Sequence, residues 1–232
     1  MKNRPFFLLS ALSMVAILWI GLSMDYKIVE AKVATPDGYS KPIIALEFAL
    51  DTSIINAVFN LPEPEESIRK AKAGNLNWST NLDFLYIFAY GSFMLLFAFQ
   101  CKRLQGTGFG LPAILTLLAA FSDVMENMQL KKIFVQVAAG SNDFSEIFGP
   151  LRFWMALKFF AITAFFLALA PFLWRSNWIG KIVVATAALA LFFLGMACFY
   201  KPEWWASAFF NMILLLFSGD FVFGLTYKNR KD

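Results

Sequence analysis

The chain alternates between long apolar runs and short polar interruptions. The apolar runs cover Phe6 to Met24, Asn81 to Cys101, Pro112 to Ala138, Leu151 to Trp174, Ile179 to Tyr200 and Trp204 to Tyr227. A helix of about 20 apolar residues crosses the ~30 Å hydrocarbon core of a bilayer. The pattern predicts an all-α, polytopic transmembrane helix bundle of about six spans, with residues 1–232 as a single transmembrane domain. The first run follows Lys2 and Arg4 and resembles a signal peptide. Its apolar part is long for an h-region and no small-x-small site follows directly, so it reads as a retained signal-anchor span.

Residues 25–80 are the one long polar interruption, read as a mostly helical extracytoplasmic insertion after the first span. Within it, Pro42 to Leu50 and Thr52 to Leu61 are short, apolar and helical in pattern. Ile43, Leu46, Phe48, Leu50, Ile54, Ile55, Val58 and Phe59 would then lie on the membrane surface or cap the bundle. Pro64-Glu65-Glu66 reads as a helix start and Gly74-Asn75 as that helix's end. The short loops set the expected orientation. Lys2 and Arg4, Lys102 and Arg103, Arg175 and Lys181, and Lys228, Arg230 and Lys231 share one side of a six-span chain. The positive-inside rule makes that side cytoplasmic, with both termini inside and residues 25–80 outside. Trp174 and Trp178 would mark the inner interface, and Tyr200, Trp204 and Trp205 the outer one.

Composition narrows the class further. The chain is 59% hydrophobic and 16% charged, more apolar surface than a soluble domain of this size can hide. Its net charge of +4 sits at the ends of apolar runs, a topology signal with no nucleic-acid-binding motif beside it. There is no His, which removes His-ligated haem, the common zinc sites and any His general base. Cys101 and Cys198 fall on opposite sides of the membrane in this topology, so they read as inert thiols without a disulfide.

The polar exceptions inside the spans are the candidate chemistry. Asp123, Glu126 and Asn127 are spaced i, i+3 and i+4, so a helix puts them on one face. Thr116, Ala119 and Ala120 extend that face with small residues that let another helix approach. Ionisable groups at such depth turn to a protein interior or a wet cavity. Counting along the helices puts Asp83, Tyr86, Tyr90 and Lys158 at overlapping depths, in the outer half of the bilayer. The expected polar site is therefore Asp123, Glu126, Asn127, Asp83, Tyr86, Tyr90 and Lys158. Plainer readings stand beside it. Thr80-Asn81-Leu82-Asp83 fits a capping box, which would make Asp83 a helix cap. Lys158 could snorkel to the interface, and the tyrosines could be interfacial aromatics. The Asp123 cluster could be an interhelix hydrogen-bond knot. Asp220 is a separate polar point, expected to pair with Lys228 or Arg103 and to serve structure.

The elements Leu46-Glu47-Phe48-Ala49, Asn81-Leu82-Asp83-Phe84-Leu85-Tyr86 through Tyr90, and Asp123-Val124-Met125-Glu126-Asn127 resemble a pattern in an uncharacterised group of small bacterial polytopic inner-membrane proteins. The resemblance covers residues 43 to about 130. It implies a bacterial inner-membrane setting and weight on Asp83, Asp123, Glu126 and Asn127. It brings no activity.

Function is less constrained. Ser122 adjoins Asp123 but points about 100° away on a helix and has no His partner, so no nucleophile–base pair is evident. Gly106-Thr107-Gly108-Phe109-Gly110 lacks the Lys-Ser/Thr of a phosphate loop. The leading expectation is a non-catalytic protein whose acidic site binds a lipid-like ligand or partner helix among membrane lipids, with no cofactor. The alternatives are an accessory subunit of a larger membrane complex and an enzyme acting on a lipid-like substrate. In the enzyme reading, Asp83, Asp123 and Glu126 would hold a hard divalent cation. Ion- or proton-coupled transport has the right acidic material but no inverted repeat.

Overall fold

The structure, a computed structural model, describes residues 32–62, 65–105, 108–141, 143–200 and 202–227, together with Val15, residues 18–24, Tyr26, Val29 and Glu30. Most of the first apolar run, with the signal-anchor reading, lies outside the described residues; residues 18–24 are helical. Eight helices follow among the described residues, with no strand. They are α1 (Pro42–Glu47), α2 (Thr52–Phe59), α3 (Glu66–Gln105), α4 (Gly110–Ala138), α5 (Ser145–Ala168), α6 (Ala170–Ser176), α7 (Trp178–Phe199) and α8 (Pro202–Thr226). Five of them (α3, α4, α5, α7 and α8) are long and apolar enough to cross a membrane. Their outward faces carry Phe88, Leu117, Phe121, Phe153, Phe160 and Phe192, all exposed. Such a surface is stable in lipid and not in water. The protein is a multi-pass integral membrane protein built as an all-α bundle.

Chain neighbours pack as antiparallel pairs: α3 with α4, α4 with α5, and α7 with α8, while α5 and α6 both meet α7. The core between them is aromatic. Phe93 meets Phe217 at 6.2 Å, Phe166 meets Phe217 at 6.0 Å, and Phe159 meets Phe209 at 4.7 Å, centroid to centroid. Ala119, Ala161, Ala187 and Ala190 are buried completely and let helix backbones come close.

Three sequence expectations about boundaries are corrected. The helix that begins at Glu66 does not end at Gly74-Asn75; it runs unbroken into the second span as the 40-residue α3. A glycine inside a helix costs only about 1 kcal/mol. Burial of Lys72, Ala73 and Leu76 on both sides of Gly74 outweighs that. At 1.5 Å per residue α3 is roughly 60 Å long, about twice the hydrocarbon thickness, so one end stands clear of the bilayer. The fourth span starts at Ser145, ahead of Pro150. Asp143 accepts from the Ser145 N–H at 3.0 Å, just ahead of the first turn of α5. Pro150 forfeits one backbone bond near that end. The expected single span to Trp174 is broken after Ala168, where Pro171 at the start of α6 cannot donate to the preceding turn.

Residues 32–62 cap the bundle instead of lying flat beside it. Leu46, Phe48, Ile55, Val58 and Phe59 are buried. Phe48 stacks on Phe159 at 6.3 Å, and Phe59 meets Phe134 at 6.4 Å. Polar ties hold the cap in place. Lys72 Nζ donates to Phe59 O at 2.8 Å, and Ser207 Oγ to Gly38 O at 2.9 Å. Asp51 caps α2 by accepting from Ser53 N–H at 2.8 Å, and the Ser53 hydroxyl holds its carboxyl below the ordinary value. Both cysteines are free thiols, as expected.

The backbone is tightly folded where α6 turns into α7. Asn177 caps α7 by accepting from Gly180 N–H at 2.9 Å, and a Cβ at Gly180 would lie 2.1 Å from Leu173 O. Gly180→Ala should therefore force the turn open and lower stability by about 1–3 kcal/mol. Gly195 has nothing within 4 Å of its would-be Cβ, so Gly195→Ala should leave stability unchanged or slightly raised. Thermal unfolding of both variants in one detergent compares them directly.

Candidate functional site

The buried stripe of α4 includes Thr116, Ala119, Ser122, Asp123, Glu126, Asn127, Leu130 and Ile133, one or two residues per turn. That periodicity turns the acidic pair inward together with apolar neighbours. Exposure is 4% for Asp123, 0% for Glu126, 3% for Asn127 and 5% for Lys158 on the facing α5.

The Lys158 ammonium is the centre of the site. Its Nζ lies 2.8 Å from Glu126 Oε2, 3.4 Å from Asp123 Oδ1 and 3.7 Å from Glu47 Oε1. It also sits 4.3 Å from the centroid of the Phe159 ring. The second oxygen of Asp123 accepts from Tyr90 OH at 2.9 Å. Asn127 Nδ2 donates to Asp83 Oδ2 at 2.6 Å. The Tyr86 ring packs edge-on against Tyr90 at 5.7 Å. All seven residues expected from the sequence thus come together from three helices.

The plainer alternatives for three of them are overturned. Asp83 caps nothing, because Thr80-Asn81-Leu82-Asp83 lies in the interior of α3. Lys158 does not snorkel; its side chain turns to carboxylates inside the bundle. Tyr90 is 2% exposed and hydrogen-bonded inside, so it is not an interfacial aromatic.

Glu47 was not among the expected site residues. It ends α1 and enters the site from the cap, 9% exposed. Burial raises its carboxyl above the ordinary carboxylate range, and the Lys158 ammonium pulls it the other way. A signal for it existed in the lone acid between Leu46 and Phe48, in a segment otherwise apolar. Ser79 was missed as well. It is 1% exposed, and its Oγ has no hydrogen-bond partner.

A cavity of about 290 Å³ opens beside the cluster. Glu47, Asp83, Asp123 and Lys158 line it, with Ser79, Tyr86 and Tyr90. Ile162, Phe210, Ile213 and Phe217 line it too, with Leu18 and Leu22 from the helical residues ahead of the cap. The lining thus combines charged and apolar side chains.

The enzyme alternative would need Asp83, Asp123 and Glu126 grouped around a cation. Among the described residues no group of three or more Asp, Glu, Cys or His side chains is placed to hold a metal ion. Asp83 is tied to Asn127, while Asp123 and Glu126 converge on an ammonium already present. Ser122 Oγ is buried without a hydrogen-bond partner, so no base adjoins it. Asp220 lies apart, fully buried on α8. Neither of its oxygens has a hydrogen-bond partner, and the expected pairing with Arg103 is absent. Lys228, its other expected partner, lies outside the described residues. Comparison with protein-family models, curated proteins and solved structures finds no match to this chain.

Removing one partner of a buried ion cluster leaves the others uncompensated, at a cost of about 3–5 kcal/mol. Lys158→Met should therefore destabilise the protein strongly. Tyr90→Phe removes one donor to the buried Asp123 carboxylate and should cost about 1–3 kcal/mol. Proteolysis rates of the two variants in mild detergent, compared with the parent, measure the difference.

Proposed function

We propose that this protein binds a lipid-like amphiphile in the cavity beside Lys158, without catalysing a reaction on it. One observation carries the reading: the cavity is lined both by ionisable side chains, Asp83, Asp123, Glu47 and Lys158, and by apolar ones, Ile162, Ile213 and Phe217. A mixed lining of this kind suits a ligand with a polar head and a hydrocarbon chain. Two features favour binding over chemistry. Carboxylates next to Lys158 are engaged in ion pairs, and the hydroxyl of Ser122 has no base beside it. The hard-cation enzyme reading loses support for the same reason, since an ammonium takes the position between Asp123 and Glu126.

The setting proposed is a bacterial inner membrane, on the resemblance of residues 43 to about 130 to that group. Both termini are cytoplasmic, and the cap over the site faces outward, on the positive charge at Lys102, Arg103, Arg175 and Lys181. The amphiphile would then sit in the outer half of the bilayer.

Native mass spectrometry of the protein from gentle detergent tests the binding. The expected result is a lone protein carrying a lipid adduct that is lost in Asp123→Asn. A stoichiometric set of partner proteins would replace this reading with that of an accessory subunit. A lone protein with no adduct, in either form, would leave the cluster as a structural knot. Orientation has its own check in a chain with Cys101 and Cys198 replaced by Ser. Gly38→Cys should react with an impermeant thiol reagent on intact cells, and Ser176→Cys only after the membrane is opened.

A further inference from the structure

The cap brings a further acid into a site that already holds two beside Lys158. Glu47 is the last residue of α1, a helix of six residues that lies against α4, α5 and α8. Its carboxyl is set on the same ammonium as that of Glu126. Lys158 Nζ lies 3.7 Å from Glu47 Oε1 and 2.8 Å from Glu126 Oε2. Glu47 and Glu126 also share a side-chain hydrogen bond. Two carboxylates cannot make such a bond, because neither has a donor. It exists only when one of the two groups carries a proton.

The surroundings of Glu47 make that proton a requirement. Asp123 and Glu126 face it from α4 and Lys158 from α5, while Asp83 on α3 lies near enough to feel its charge. Lys41, at the other end of α1, sits over the Phe210 ring of α8 at 5.7 Å. α8 also meets the cap through Phe209, 6.4 Å from Phe48, centroid to centroid. One ammonium thus meets three buried carboxyl groups, with Asp123 Oδ1 at 3.4 Å as the third. Like charges so close cannot all stay ionised away from water. Burial accordingly raises the Glu47 carboxyl above its ordinary range, against the pull of Lys158. Glu126 cannot leave, because it is built into a spanning helix. Glu47 can, because α1 is short and lies outside the spans.

We propose that the cap docks by taking up one proton, shared between Glu47 and Glu126 beside Lys158, and that loss of this proton releases it. Lys41, Ile43, Ile44 and Glu47 line the cavity, so release of the cap opens it. Acid closes the cavity and alkali opens it. With the cap released, Glu47 is an ordinary acid in water and ionises at about pH 4.3. Docked, it belongs to a pair that keeps its proton to higher pH. Docking is therefore fully favoured below about pH 4.3. Above that, each pH unit weakens it about tenfold, for one proton, until the docked pair itself ionises. The device controls access to the proposed binding cavity, and it operates whether or not an amphiphile fills that cavity.

The test is thiol accessibility of the cap, in a chain with Cys101 and Cys198 replaced by Ser. Ala45→Cys puts the reporter at a completely buried position on α1. Ser40→Cys, exposed in the same segment, is the reference, and the ratio of the two labelling rates cancels the titration of the thiol itself. The full-length protein in non-ionic detergent, with no lipid added, is labelled between about pH 5 and pH 9. The expected result is a ratio that rises with pH, by about tenfold per unit at its steepest. Glu47→Gln and Glu126→Gln each supply an amide N–H in place of the shared proton, so either should keep the ratio low and level. A level ratio in the chain with both acids would overturn the proposal, because docking would then take up no proton. A rise that persists undiminished in Glu47→Gln would overturn it as well, because another group would then be titrating. Neither result bears on lipid binding, which is read separately from the adducts in native mass spectrometry.

Discussion

An ammonium group inside a helix bundle survives only where carboxylates meet it, and Lys158 imposes that condition on four helices. Its 2.8 Å contact with Glu126 and its longer contacts with Asp123 and Glu47 offset a desolvation cost that no single partner would cover. The requirement fixes geometry. It sets the rotation of α4, whose acids must face α5, and the docking of the cap, whose Glu47 must reach inward. The α3 helix enters through a second layer, since Tyr90 holds the far oxygen of Asp123 and Asp83 holds Asn127. Polar bonds between these helices do what apolar burial cannot do in lipid, where one oily face is as good as another.

The cap and the site are consequently one structure. α3 continues through Gly74 without a break, so the arm that carries Lys72 and the span that carries Asp83 form one rigid rod. Lys72 is tied to the end of α2 through Phe59 O, while Glu47 at the end of α1 is tied to Lys158. A segment that reads in the sequence as a mostly helical insertion outside the spans is thereby drawn into the cavity wall. The cavity is lined from the cap by Glu47, from α5 and α8 by Ile162 and Ile213, and from the helical residues 18–24 by Leu18 and Leu22.

The sequence made the bundle and most of its site legible for a simple reason. Apolar runs of span length, and charges inside them, are strong signals because the bilayer tolerates few exceptions. Asp123, Glu126, Asn127 and Lys158 were visible on those grounds, and helix spacing was enough to align Asp83, Tyr86 and Tyr90 with them. Glu47 was hidden because it lies in a short helix outside any span, where an acid is ordinary. Its burial depends on Phe48 packing against Phe159, which residue spacing does not reveal. Ser79 was hidden for the opposite reason: a small hydroxyl is cheap to bury in a helix, and only the adjoining space gives it a role. The misplaced end at Gly74 shows the same limit. A local breaker signal worth about 1 kcal/mol loses to tertiary contacts on both sides.

Asp220 shows that a buried acid alone does not make a site. Like Asp123, it lies on a spanning helix and is shielded from solvent. Yet its oxygens have no hydrogen-bond partner, it pairs with no described cation, and it does not line the cavity beside Lys158. Cys101, from α3, is its polar neighbour, and a thiol is a weak donor. What distinguishes the Asp123 cluster is the joint presence of a fixed ammonium and a space beside it. The ammonium holds the acids in place, and Asp220 has no such counter-charge among the described residues.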